Sequence, residues 1–142
     1  TMRQKYKTRL KLLQLIGENR WRLSATDFEY LKTEVGLNEV AEYADGIGPW
    51  KNHVVIEKNI SGELELTGIV SKAHHLNLKV HPYTMRADRL PDYAKSFEDL
   101  LQIFFKVVQV DGIFTDFPDL AVKYLENFPS TKTFQPERKT GE

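Results

Sequence analysis

Four short apolar segments, at residues 12–16, 43–47, 78–83 and 112–114, recur along the chain at nearly even intervals. That recurrence restricts the fold more than any other property. Each segment is bounded by Gly, Pro or polar residues, the pattern of a buried strand. With Gln14, Asp45, Val80 and Ile113 as reference points, the separations are 31, 35 and 33 residues. A strand-plus-helix unit of a (β/α)8 barrel averages about 31 residues when ~250 residues are shared among eight units. The spacing therefore predicts an α/β chain of about four consecutive βα units.

Helical patterns fill the intervals. Leu37, Val40 and Ala41 stand at helical spacing before the second segment, and Leu66, Ile69, Val70 and Ala73 share one face of a helix expected over 64–76. Ser96 opens a helix with an acidic first turn that runs on through Ile103, Phe104 and Val107. Pro118 suits the first turn of a last helix, with Asp116 upstream as its cap. Residues 54–56 read either as an extra strand or as part of a long loop. Residues 1–127 are expected to form the domain, and 128–142, with Pro129, Pro136 and mixed charges, a flexible tail.

Composition narrows the function classes. At 142 residues the chain suits one domain with one core, and its 41% hydrophobic content argues against wholesale disorder. Lys+Arg and Asp+Glu are equal at 20 each, so net charge makes no case for nucleic-acid or anionic-membrane binding. The absence of cysteine excludes disulfides and thiolate metal sites but fits either cytosol or periplasm. No apolar run approaches the roughly 18 residues that span a bilayer. The first nine residues are basic and lack the apolar stretch of a secretory signal, so a processed signal is expected only upstream of Thr1.

Few residues can carry chemistry, and each has a plainer alternative. Gln14 interrupts an apolar strand, and a buried amide must find a partner. It either hydrogen-bonds a ligand in the lumen or pairs with a neighbouring strand. His81 and Tyr83 share a face at the end of the third segment, and Arg86 follows. Arg holds phosphate by paired hydrogen bonds, and His can donate to a phosphate oxygen or shuttle a proton. The alternatives are a fixed structural histidine and an Arg86 ion pair with Asp88 or Asp92. Asp116 reads first as a helix cap and second as a pocket residue, with Phe114 as an apolar wall beside it. Asp45 either fixes the turn at Gly46 or stands at a site. His74 and His75 point about 100° apart on a helix and cannot share a metal. Asp45 and Asp116, the acids at strand ends, are too few to claim a hard-cation site.

Tyr43-Ala-Asp-Gly-Ile-Gly-Pro49, Val80-His-Pro-Tyr-Thr84 and Gly112-Ile-Phe-Thr-Asp-Phe-Pro118, with Leu12-Leu-Gln-Leu-Ile16, resemble the last four strands of glycerophosphodiester phosphodiesterases, particularly the periplasmic bacterial type. The resemblance runs from about Leu10 to about Leu125. It implies the carboxy-terminal half of a TIM (β/α)8 barrel, hydrolysing glycerophosphodiesters such as glycerophosphocholine to glycerol 3-phosphate and an alcohol. The family's His-Arg-Gly motif and acidic metal ligands match no position here, so no catalytic or metal role is carried over. A divalent metal, calcium by the same implication, would be held by the missing half, and this chain alone is expected to be inactive. The substrate-pocket wall is what carries over: Gln14, His81, Tyr83, Arg86, Phe114 and Asp116. Trp50-Lys51 replaces an acidic-aromatic pair expected of the family, which bears on substrate preference. A half barrel leaves strand edges open, so the expected partner is the amino-terminal half or a second copy closing a homodimeric barrel. A non-catalytic binding module is the rival reading. The implied location is periplasmic or extracellular.

Overall fold

The computed structural model describes residues 1–22, 24–58 and 63–127. In chain order the elements are α1 (Met2–Tyr6), β1 (Leu13–Ile16), α2 (Phe28–Leu31), α3 (Glu34–Ala41), β2 (Gly46–Pro49), β3 (Val55–Lys58), β4 (Leu64–Leu66), α4 (Ile69–His75), β5 (Lys79–Val80), α5 (Phe97–Gln102) and α6 (Pro118–Glu126). Strands β1, β2 and β5 form a parallel sheet in that order, and β3 and β4 pair as a separate antiparallel ribbon. The chain is α/β, and among the described residues the parallel sheet is open.

The fourth expected strand is present as an irregular edge. Gly112 N donates to Val80 O, Phe114 N to Pro82 O and Met85 N to Phe114 O, with a parallel bridge between Met85 and Thr115. Those bonds follow the direction of the sheet without forming a regular ladder.

Register separates the two faces. Gln14 pairs with Ile47, and Ile47 with Val80, so these side chains point the same way. Ile16, Ile47 and Val80 are fully buried in one cluster with Leu37, Val40 and Ala73 from α3 and α4, and Leu100 and Phe104 beyond them. Burying each large aliphatic side chain contributes roughly 1.5–3 kcal/mol. The opposite face carries Leu13, Gly46, Leu15 and Gly48. There Leu15 is 52% exposed and Phe114 40%, so this face is largely uncovered.

A repeated device sets the register at the amino ends. Asp45-Gly46-Ile47 and Asp111-Gly112-Ile113 are the same tripeptide. Asp45 accepts from Leu12 N at 2.9 Å, Lys11 Nζ at 3.2 Å and Arg3 Nη2 at 2.6 Å. Asp111 accepts from Val80 N at 2.9 Å, Lys79 Nζ at 2.8 Å and His74 Nε2 at 2.8 Å. In each case one carboxylate grips the backbone of the preceding strand together with two basic side chains. Gly46 is required by close approach, because a Cβ there would lie 2.5 Å from Lys79 O and 2.6 Å from Leu13 Cδ2.

Several local expectations are corrected. The second strand lies at Gly46–Pro49 rather than 43–47, because Tyr43 and Ala44 still close the end of α3 by bonding to Val40 O. Leu64–Leu66 is strand rather than helix, paired with residues of β3, and α4 starts only at Ile69 after Gly68, whose φ is 77°. Asp116 does not cap α6. Phe117 holds the cap position, its N–H donating to Thr115 Oγ1, while Asp116 turns to Arg86. The expected tail, 128–142, lies outside the described residues.

Candidate active site

The loops after β2 and β5 enclose a cavity of about 440 Å³. Carboxyl ends of parallel strands are where α/β folds hold ligands, since the following loops converge there. The cationic lining is Lys51, Arg86 and Arg89, and the aromatic lining is Trp21, Trp50 and Tyr83. Tyr83 N donates to Pro49 O, and Lys51 N to Tyr83 O, so backbone bonds tie the two loops together. The Trp21 and Trp50 rings meet edge to face at 5.1 Å.

Tyr83 reaches across to β1, its hydroxyl donating to Ile16 O at 3.0 Å. Burial, and to a smaller degree the charge of Glu18, holds its phenol above the usual range. Lys51 is held below the ordinary lysine range by burial first, then by the charges of Arg89 and Arg86. Arg86 is committed. It donates to both Asp88 oxygens at 2.9 and 2.7 Å and to Asp116 Oδ2 at 2.7 Å.

The other expected pocket residues divide. His81 and Phe114 meet on the uncovered face, ring centroids 6.3 Å apart, beside Gly48 and Gly112. A Cβ at Gly112 would lie 2.9 Å from the His81 ring, so glycine makes room for that imidazole. Asp116 joins the cavity rim only through Arg86. Gln14 stands apart: it points to the helix-covered side, where Tyr43 donates to its Oε1 at 2.9 Å and its Nε2 donates to Leu15 O. The amide is only half-buried, and the partner it finds is a tyrosine just after α3.

Sequence reasoning passed over Trp21, Asn52 and Arg89 as lining. The signal for Arg89 was available in Arg86-Ala-Asp-Arg89, which sets two guanidiniums in one short loop. His53, isolated in sequence, is buried and donates from Nε2 to Glu18 Oε1 at 2.8 Å under the Trp50 ring. That bond to His53 is the main reason the Glu18 carboxyl sits below its usual range. The pair braces the wall of the cavity from behind.

Among the described residues no group of three or more His, Cys, Asp or Glu is placed to hold a metal ion. The acids nearest the strand ends are engaged by basic side chains, Asp45 by Arg3 and Lys11 and Asp116 by Arg86. These residues do not fit a metal centre by themselves. No helix among them is long and apolar enough to cross a membrane.

Known proteins resemble most of this chain. The model of the glycerophosphoryl diester phosphodiesterase family matches residues 1–120. A glycerophosphodiester phosphodiesterase of Treponema pallidum (strain Nichols) is 30% identical over 132 residues, which is 85% of this chain and 37% of that protein. One from Haemophilus influenzae is 30% identical over 128 residues, 82% of this chain and 35% of its own length. A third, from Arabidopsis thaliana, is 30% identical over 112 residues, 77% of this chain and 29% of its own. The chain therefore spans about a third of the length of the curated relatives it matches. The matched residues take in both Asp-Gly clamps and both loops of the cavity, and the chain belongs to the glycerophosphoryl diester phosphodiesterase family.

Proposed function

We propose that this chain supplies one half, the carboxy-terminal one, of a (β/α)8 barrel that hydrolyses glycerophosphodiesters to glycerol 3-phosphate and an alcohol. The observation that supports this reading is the meeting of His81 and Phe114 on the uncovered face of an open parallel sheet, in a chain of this family. In this reading His81 donates to the glycerol phosphate, Phe114 walls its apolar side, and Tyr83 fixes the floor through Ile16. Arg86 and Asp116 orient the rim as an ion pair. Gln14 contributes by holding α3 on β1.

The proton-transfer groups and the divalent cation, calcium in this proposal, belong to the remaining strands of the barrel. The proposed compartment is the periplasm or the cell exterior. The uncovered face bearing Leu15 and Phe114 favours a complementary half as the main partner, with a second copy of this chain as the alternative.

Mixing the chain with the amino-terminal half of a family member, with calcium present, tests the proposal directly. Chelator-sensitive release of glycerol 3-phosphate from glycerophosphocholine is the expected result. Turnover by the chain alone would refute the division of groups, and failure of the halves to associate would refute the half-barrel reading.

A further inference from the structure

The cavity holds more positive charge than the wall of a glycerol phosphate pocket needs. His81 and Phe114, the proposed contacts for that moiety, lie outside its lining, on the uncovered face. Tyr83 lines the cavity and ties it to β1 through Ile16 O. Within the cavity Arg86 is paired with Asp88 and Asp116, yet its charge still acts on Lys51. Lys51 and Arg89 form no direct ion pair among the described residues, although the charge of Arg89 is felt by Asp88. Lys51 is half-buried, so its ammonium gives up hydration without gaining a counter-ion, while two guanidiniums add to the positive field. An anion entering the cavity relieves all three costs together. A phosphate suits the place best, because an arginine fork and a lysine point charge are its two usual partners.

We propose that Lys51 and Arg89, backed by Arg86, form a second anion subsite that binds a phosphate carried by the leaving alcohol. Preferred substrates are then glycerophosphodiesters whose alcohol is itself phosphorylated. The inference rests on the glycerophosphodiester reading above for its first subsite. A choline substituent would set a fourth cation in this cavity, where the tryptophan faces attract it but Lys51 and Arg89 oppose it. Trp50-Lys51, the pair that departs from the family pattern, is thus the element that sets alcohol preference.

Calorimetric titration of the full chain at low salt separates the possibilities, with inorganic phosphate, glycerophosphocholine and bis(glycerophospho)glycerol as probes. The diphosphate is expected to bind about tenfold more tightly than glycerophosphocholine, with a steep loss on adding salt. Lys51→Met should close that gap, and Lys51→Arg should retain it. Arg89→Gln, at an exposed position, should narrow it as well and serves if Lys51→Met fails to fold. Equal affinity for the two diesters, or a gap indifferent to both substitutions, overturns the subsite. Lys51-dependent binding of inorganic phosphate and bis(glycerophospho)glycerol, with none of glycerophosphocholine, upholds the subsite, and the glycerophosphodiester reading is then decided by the mixing of halves described above. If the scissile phosphate itself occupies Lys51 and Arg89, glycerophosphocholine loses affinity on Lys51→Met as steeply as the diphosphate does, and the proposal fails.

Discussion

Asp111 shows how one side chain can set strand register. Burial pushes its carboxyl upward, but Lys79, the Val80 N–H and His74 together outweigh that and hold it below the usual range. Asp45 is lowered as well, first by the Leu12 N–H and then by Lys11 and Arg3. Both folded-state values lie below the ordinary aspartate value of 3.8. The stability they contribute is therefore complete above that value and is lost as pH falls through the folded values. Asp111→Asn should cost roughly 1–3 kcal/mol at pH 7, the range for a lost charged hydrogen bond in a part-buried site. Urea denaturation at pH 7 and pH 3 should show a difference between wild type and variant that shrinks at the lower pH. An equal difference at both would mean the carboxylate charge is irrelevant. Sequence spacing alone marked Asp45 as a turn or site residue, because the alternatives differ only in which backbone lies within reach. Gln14 was legible as an amide in need of a partner, but choosing its face required knowing that α3 delivers Tyr43 to it.

At the scale of elements, caps were easier to read than strand ends. Ser96 was expected to open α5, and its hydroxyl accepts from Asp99 N at 3.0 Å while Asp99 accepts from Lys95 N. Ser96→Ala should lower stability by about 1 kcal/mol, measured by thermal or denaturant unfolding. A change near zero would assign the start of α5 to its packing through Phe97 and Leu100 alone. Strand limits failed where composition and pairing disagree. The second strand was expected to end at Ile47, yet Gly46-Ile-Gly-Pro49 pairs with all four residues of β1, and at Gly46 the neighbouring backbone leaves no room for a Cβ. Leu66 satisfied a helical period shared with Ile69, Val70 and Ala73, and only the partner strand β3 distinguishes the two states. Helix α1 was missed because its start depends on Thr1 and Gln4 closing a capping box without any buried face.

For the whole molecule, the uncovered face is the dominant property. Leu15 and Phe114 flank Gly48 there, forming a shallow apolar surface that belongs against another layer. In isolation the chain should self-associate with rising concentration, and Leu15→Glu should shift it towards monomer in sedimentation experiments. A monomer at every concentration would mean the face is content in water. The clamps carry a consequence for chimeras. Asp45 ties β2 to β1, and Asp111 ties residues 111–115 to β5, so each carboxylate works inside a pair of neighbouring strands. Between β2 and β5 the links across the ladder are backbone bonds, such as His81 N to Ile47 O. The chain thus holds two clamped strand pairs with a seam between them, which Tyr83 crosses through its bond to Ile16 O. Relatives recombined between β2 and α4 would inherit both clamps whole, whereas a junction placed inside either pair would divide a carboxylate from the strand it holds.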